Sequence, residues 1–147
     1  MLYIASDHAG YQLKKYLVNF LEKTLKMPVE DLGPSAYNED DDYPDFALPL
    51  AKKVLGNKEN KGILICGSGH GVCMTANKIK GIRAILGYSI EGTEMGRKEE
   101  DANVLCLAAR VLSNEHAIAI VKRFFEVEFK DEERHVRRLK KIPGAEI

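Results

Sequence analysis

Four short runs along the chain are apolar at most positions: Leu2–Ser6, Gly62–Cys66, Arg83–Gly87 and Val104–Ala108. A fifth, Pro28–Gly33, is weaker and ends in a Gly-Pro breaker. Between them the apolar residues recur at helical spacing instead. From Tyr11 to Lys26 they fall at Leu13, Tyr16, Leu17, Phe20, Leu21 and Leu25, one face of a helix. Asp7 stands where it would cap this helix or its entering turn. Pro44 opens a second helix that runs to about Leu55; the acids just before it suit the helix dipole. Further helices are predicted from the glycine-rich stretch after Cys66 to about Lys80-Gly81, over Tyr88–Lys98, over Asn114–Phe125, and over about Asp131–Lys141.

Short all-apolar strands alternating with longer amphipathic helices imply a parallel sheet covered on both faces. The fold class is α/β: a doubly wound, Rossmann-like three-layer sandwich with a five-stranded parallel sheet and an extra C-terminal helix. Ligands in such folds bind beyond the carboxyl ends of the strands. Asp7, His8 and Cys66 stand at such ends, and the segment just before Val104 is expected there too by way of its flanking loop.

The 147 residues are 45% hydrophobic, enough for one domain spanning 1–147. Lys+Arg and Asp+Glu are 22 each, so no global basic field draws nucleic acid, and none is expected as a partner. No apolar run approaches membrane-spanning length, and Met1–Ala5 lacks the features of a signal peptide, which predicts a cytoplasmic chain without membrane contact. Cys66, Cys73 and Cys106 lack zinc-site or CxxC spacing and are expected as free thiols.

The chemistry concentrates in Gly62-Ile-Leu-Ile-Cys-Gly-Ser-Gly-His-Gly71. A glycine-rich turn leading into a helix presents backbone N–H groups to an anion. The G-x-G-x-G spacing after the third strand is neither the dinucleotide fingerprint nor a P-loop, so a nucleotide site has no motif here. Taken alone, the loop is as well explained by a tight turn. A thiol at a helix N-terminus gives thiolate near neutrality, and thiolate beside convergent N–H donors can move a proton next to a carbonyl. The plainer alternative, a small buried hydrophobe, fits Cys106 in mid-strand and Cys73 in the next helix better than Cys66 at the active end of the sheet. Lys130–Lys141 holds six bases and three acids. Arg134 and Arg138 share one helical face and form a phosphate clamp if that face meets a pocket; otherwise they are a solvated surface. Arg110 is a third candidate cation.

These motifs, with Ser6-Asp-His-Ala-Gly10, Asp42-Tyr-Pro44, Ala76–Ala84, Asp101-Ala-Asn-Val-Leu105 and Arg134-His-Val-Arg-Arg138, occur in order over nearly the whole chain. Together they resemble the type B ribose-5-phosphate isomerases and their galactose-6-phosphate isomerase relatives. The resemblance implies an aldose–ketose isomerase working through an enediolate without metal or organic cofactor. It implies that Cys66 is the base, that the Ser68 hydroxyl assists it, and that the amides of the loop Gly67, Ser68, Gly69, His70 and Gly71 hold the enediolate. It places Asp7, His8, Tyr43, Asn103, Arg110, Arg134, His135 and Arg138 around a phosphorylated sugar. It implies a homodimer, with a tetramer as the alternative, whose C-terminal helix (about 130–141) reaches the neighbour's pocket.

One departure stands out. Relatives usually carry His-Asn, the histidine credited with ring opening, where this chain has Glu99 and Glu100. Three readings stay open: Glu99 opens the ring, His70 replaces the imidazole, or the substrate is a six-carbon sugar phosphate of the galactose or allose type. The last draws on a carboxylate at this position in galactose-6-phosphate isomerase subunits. A non-catalytic sugar-phosphate binder is the rival, though an intact Cys66 and loop would serve it no purpose.

Overall fold

The structure is a computed structural model that describes residues 1–143; the last four residues of the predicted 1–147 domain lie outside it. The described residues form eleven elements, strands and helices alternating up to a final pair of helices: β1 (Leu2–Ser6), α1 (Tyr11–Lys23), β2 (Val29–Asp31), α2 (Pro44–Val54), β3 (Lys61–Cys66), α3 (His70–Ala76), β4 (Ala84–Leu86), α4 (Ile90–Glu100), β5 (Val104–Ala108), α5 (Asn114–Glu126) and α6 (Glu133–Leu139). The strands form one sheet in the order β2-β1-β3-β5-β4, parallel at every pairing. This is the predicted doubly wound sandwich.

The strands at the centre are buried on both faces, which is why their sequences do not alternate with polar residues. Their side chains still divide by the two-residue period of a strand. Ile63 and Ile65 face Leu13, Leu17 and Leu21 of α1 and Ala117, Ile120, Val121 and Phe124 of α5. Leu64 and Cys66 face Ala47, Leu50, Ala51 and Val54 of α2 and Val72 and Ala76 of α3. Cys66 therefore emerges on the α2–α3 side. Helix α4 packs beside α5, and α6 leans on α4, tied by the Lys130 N–H donating to the Lys98 carbonyl at 2.8 Å.

Several helices are shorter than their periodicity predicts. Helix α3 stops at Ala76 rather than Lys80, because the Asn77 side chain bonds the backbone of Ala84 in both directions and turns the chain into β4. Helix α4 starts two residues late, at the Ser89 cap whose hydroxyl accepts the Gly92 N–H. Its end at Glu100 runs past the predicted Lys98. Asp7 serves the entering turn of α1 rather than its cap: its carboxylate accepts the Gly10 N–H at 3.1 Å. Lys14, on the inner face of α1, is 1% exposed. Its ammonium donates to both Asp31 carboxylate oxygens (2.6 and 2.8 Å) and to the Pro34 carbonyl (2.7 Å), joining α1 to the end of β2. Among the described residues no helix is long and apolar enough to cross a membrane.

Candidate active site

A cavity of about 310 Å³ opens beyond the carboxyl ends of β1, β3 and β5. Asp7 and His8 follow β1, Cys66 ends β3 with Gly67, Ser68 and Gly71 after it, and Arg110 and Val111 follow β5; Tyr43, at the start of α2, closes one side. Parallel register decides this convergence. Cys66 sits opposite Ala108, and Ser6 opposite Ile65, so the residues after three separate strands meet at one edge.

Cys66 is 4% exposed at the cavity floor, and its sulfur accepts the Gly69 N–H at 3.2 Å. Gly69 has φ +76°, a left-handed conformation open to glycine at little cost, and the reversal there aims the amide back at the sulfur. Gly71 lies against the Tyr43 ring so closely that a Cβ would stand 2.7 Å from it. Among the described residues no protein group accepts the N–H of Ser68 or Gly71, which leaves those donors open beside the sulfur. Ser68 is itself held by its neighbours: its hydroxyl accepts the His70 N–H at 3.3 Å and its carbonyl the Tyr88 hydroxyl at 2.7 Å. His70 turns outward and stacks on Tyr88, with ring centroids 5.9 Å apart. Arg110 lies over Gly67, with Nη1 2.8 Å from where a Cβ would be, and its guanidinium has no ion-pair partner among the described residues. Cys73 and Cys106 do not line the cavity; Cys106 is wholly buried in β5, and burial pushes its thiol up.

His8 is anchored by Asp41, one of the acids that precede α2. The main-chain N–H of His8 and its ring Nδ1 both donate to Asp41 Oδ1, at 2.9 and 2.7 Å. That hydrogen bond, opposed by burial and aided by the charge of Asp7, raises the His8 pKa above its ordinary value. Donor atoms of Asp7, His8 and Asp41 lie within 4.8 Å of one another, but the Nδ1 of His8 is spent on Asp41 rather than free for a cation. Val111, also missed, is a half-exposed apolar wall whose one signal was its place after Arg110.

The other predicted residues lie elsewhere in the chain. The segment before Val104 was expected at the carboxyl ends, and the structure corrects this. A residue that precedes a strand lies at that strand's amino end, and β5 spans five residues, about 16 Å at about 3.3 Å per residue. Asn103 is used there structurally: its Oδ1 accepts the Arg83 N–H at 2.8 Å and its Nδ2 donates to the Gly81 carbonyl at 2.9 Å. Glu99 and Glu100 end α4 in the same region, half-buried and exposed. On α6, Arg134 is exposed and pairs with Glu132 at 3.0 Å, Arg138 is exposed, and His135 is buried with Nδ1 donating to the Lys130 carbonyl at 2.9 Å. None of these residues lines the Cys66 cavity of its own chain. They form a second cluster, carried by α4 and the α6 that leans on it.

Residues 2–142 match the Ribose/Galactose Isomerase family. A probable ribose-5-phosphate isomerase B of Mycoplasma pneumoniae is 46% identical over 99% of this chain and 94% of its own length. The crystal structure of ribose-5-phosphate isomerase B from Mycoplasma genitalium with bound ribulose-5-phosphate superposes with a TM-score of 0.90 at 46% identity, covering 96% of this chain and 92% of that one. Ribose-5-phosphate isomerase B from Clostridium thermocellum gives a TM-score of 0.93 at 40% identity, over 99% and 96%. With the match running from the first strand to the last helix, the chain belongs to the ribose/galactose isomerase family.

Proposed function

We propose that this isomerase interconverts ribose 5-phosphate and ribulose 5-phosphate, with Cys66 as the base. In the open-chain aldose the thiolate removes the proton on C2, and the electron pair of that bond forms the cis-enediolate. The thiol then returns the proton to C1, while the O2 hydroxyl passes its proton to O1 and the O–H electron pair becomes the C2 carbonyl. The open amides of Ser68 and Gly71 hold the developing oxyanion, where fixed donors act without reorganising. Arg110 and His8 hold the phosphate so that C1 and C2 lie over the sulfur, positioning that lowers the barrier by several kcal/mol. The observation that carries this reading is the Cys66 sulfur at the floor of a cavity that also holds Arg110, which has no ion-pair partner among the described residues. All charge stabilisation in this scheme comes from N–H donors and cations of the chain, so activity should persist after chelation.

The second cluster has a use if two copies pair. Arg134 and Arg138 then complete the phosphate seat of the partner's cavity, and Glu99 takes up ring opening there. The three free thiols accord with a reducing cytoplasm. Glu99 also supports a second substrate reading, a six-carbon sugar phosphate. A coupled assay on ribose 5-phosphate, then on the 6-phosphates of allose and galactose, decides between them. The proposal expects the highest kcat/KM on ribose 5-phosphate; a preference for a hexose 6-phosphate would replace it with the second reading.

A further inference from the structure

We propose that Asp41 is a positioning residue for the substrate's phosphate, holding His8 as a two-donor imidazolium whose Nε2–H faces the anion that Arg110 meets. The inference rests on the phosphosugar reading above and deepens it.

The Asp41 side chain is 9% exposed, and its Oδ2 is buried without a hydrogen-bond partner among the described residues. Its Oδ1 takes both donors of His8. A buried carboxylate with one bare oxygen is costly unless a cation stands beside it. His8 is the cation in place, and its side chain is 26% exposed at the cavity. Donation to Asp41 fixes a proton on Nδ1. In the neutral ring Nε2 is then a lone pair, which would point at an anion in the cavity. Only the imidazolium satisfies Asp41 and a phosphate together.

Three charged groups face His8, each from a different part of the fold: Asp41 from the loop before α2, Asp7 from the end of β1, and Arg110 from the segment after β5. The Tyr37 ring adds an uncharged edge contact at 6.2 Å. The acids outweigh the arginine, so His8 keeps its charge to higher pH than an ordinary histidine. A phosphate monoester becomes a dianion above about pH 6. Phosphate should therefore bind best from there up to the point at which His8 discharges, and Asp41 sets that upper edge.

The test uses the intact protein, inorganic phosphate as probe, calorimetric titration at pH 6 and pH 7.5, and NMR titration of the His8 ring. In the unaltered protein His8 should titrate above about 6.5, the ordinary histidine value. In Asp41→Asn its midpoint should fall, and phosphate binding should weaken about tenfold at pH 7.5, as for the loss of a charge-assisted hydrogen bond. At pH 6, where the ring is protonated without help, the loss should be much smaller. His8→Gln should bind phosphate as weakly as Asp41→Asn at pH 7.5, and the double variant no more weakly than either. An unmoved His8 midpoint, an equal loss at both pH values, or additive losses in the double variant would overturn the proposal. Should Asp41→Asn not fold, His8→Gln still decides: its phosphate affinity must lose the decline above pH 7 that the unaltered protein shows, and a retained decline overturns the assignment. Phosphate binding with this pH dependence in a protein that does not turn over ribose 5-phosphate would support the Asp41 role and sink the substrate assignment instead.

Discussion

At the scale of single residues, the candidate chemistry depends on a sulfur that is nearly buried yet borders a cavity. Position 66 combines the end of a buried strand with a glycine-rich turn that borders the cavity. Replacing Cys66 with Ala removes one sulfur from the floor of a cavity, so the fold should persist. Turnover of ribose 5-phosphate should fall about a thousandfold or more, the scale of a lost general base. Matching thermal transitions with residual activity above one per cent would discard the thiol as base. Cys66 was legible in the sequence because a strand end is a local signal. Asp41 was not: it stands in an acidic run that suits the dipole of the next helix, and its contact with His8 spans 33 residues.

At the scale of elements, two polar links tie helices into the sandwich. Lys14 joins α1 to the end of β2 from a buried position, while Asp31 stays partly hydrated. Lys14→Met keeps the length of the stem but leaves the Pro34 carbonyl without the ammonium and Asp31 with the Gly33 N–H alone. We expect a loss of about 1–3 kcal/mol in urea unfolding; an unchanged midpoint would show the link to be dispensable. Glu94 of α4 pairs with Arg123 of α5, Nε to Oε2 at 2.9 Å and Nη2 to the same oxygen. The guanidinium hydrogen bond lowers the Glu94 pKa. A depressed carboxylate stabilises the fold above its unfolded pKa, and the effect is lost as pH falls through the folded value. Glu94→Gln should therefore be less stable than the parent at neutral pH, with the gap closing once the pH drops below the ordinary glutamate value of about 4.3. A gap that persists at pH 3 would assign the loss to packing. Periodicity placed these helices but not their ends, since Asn77 and Ser89 end or start them through side-chain bonds to backbone.

At the scale of the whole molecule, the predicted site residues fall into a cavity cluster and an α4–α6 cluster at the opposite end of the sheet's strands. The proposed site shared between two copies would reconcile them, and mixing tests it. Cys66→Ala and Arg134→Ala proteins should each be impaired. Refolded together at equal amounts, half of the dimers should be mixed, and each mixed dimer carries one intact site. Activity should then return to about a quarter of the parent's. No recovery above the weighted mean of the two variants would confine the site to one chain.

The sequence by itself determined the α/β alternation, the parallel sheet and the placing of Cys66, Asp7 and His8 at carboxyl ends. These follow from periodicity and from the handedness of the β-α-β connection, which act over a few residues to one crossover. Only the tertiary structure decided that Glu99, Glu100 and Asn103 stand at the amino end of β5, that His135 is buried against the Lys130 carbonyl, and that Asp41 reaches His8. The physical reason is the same in each case. Strand order and register bring distant segments together, and no local pattern of apolar and polar residues records which side chain will find which partner across the sheet.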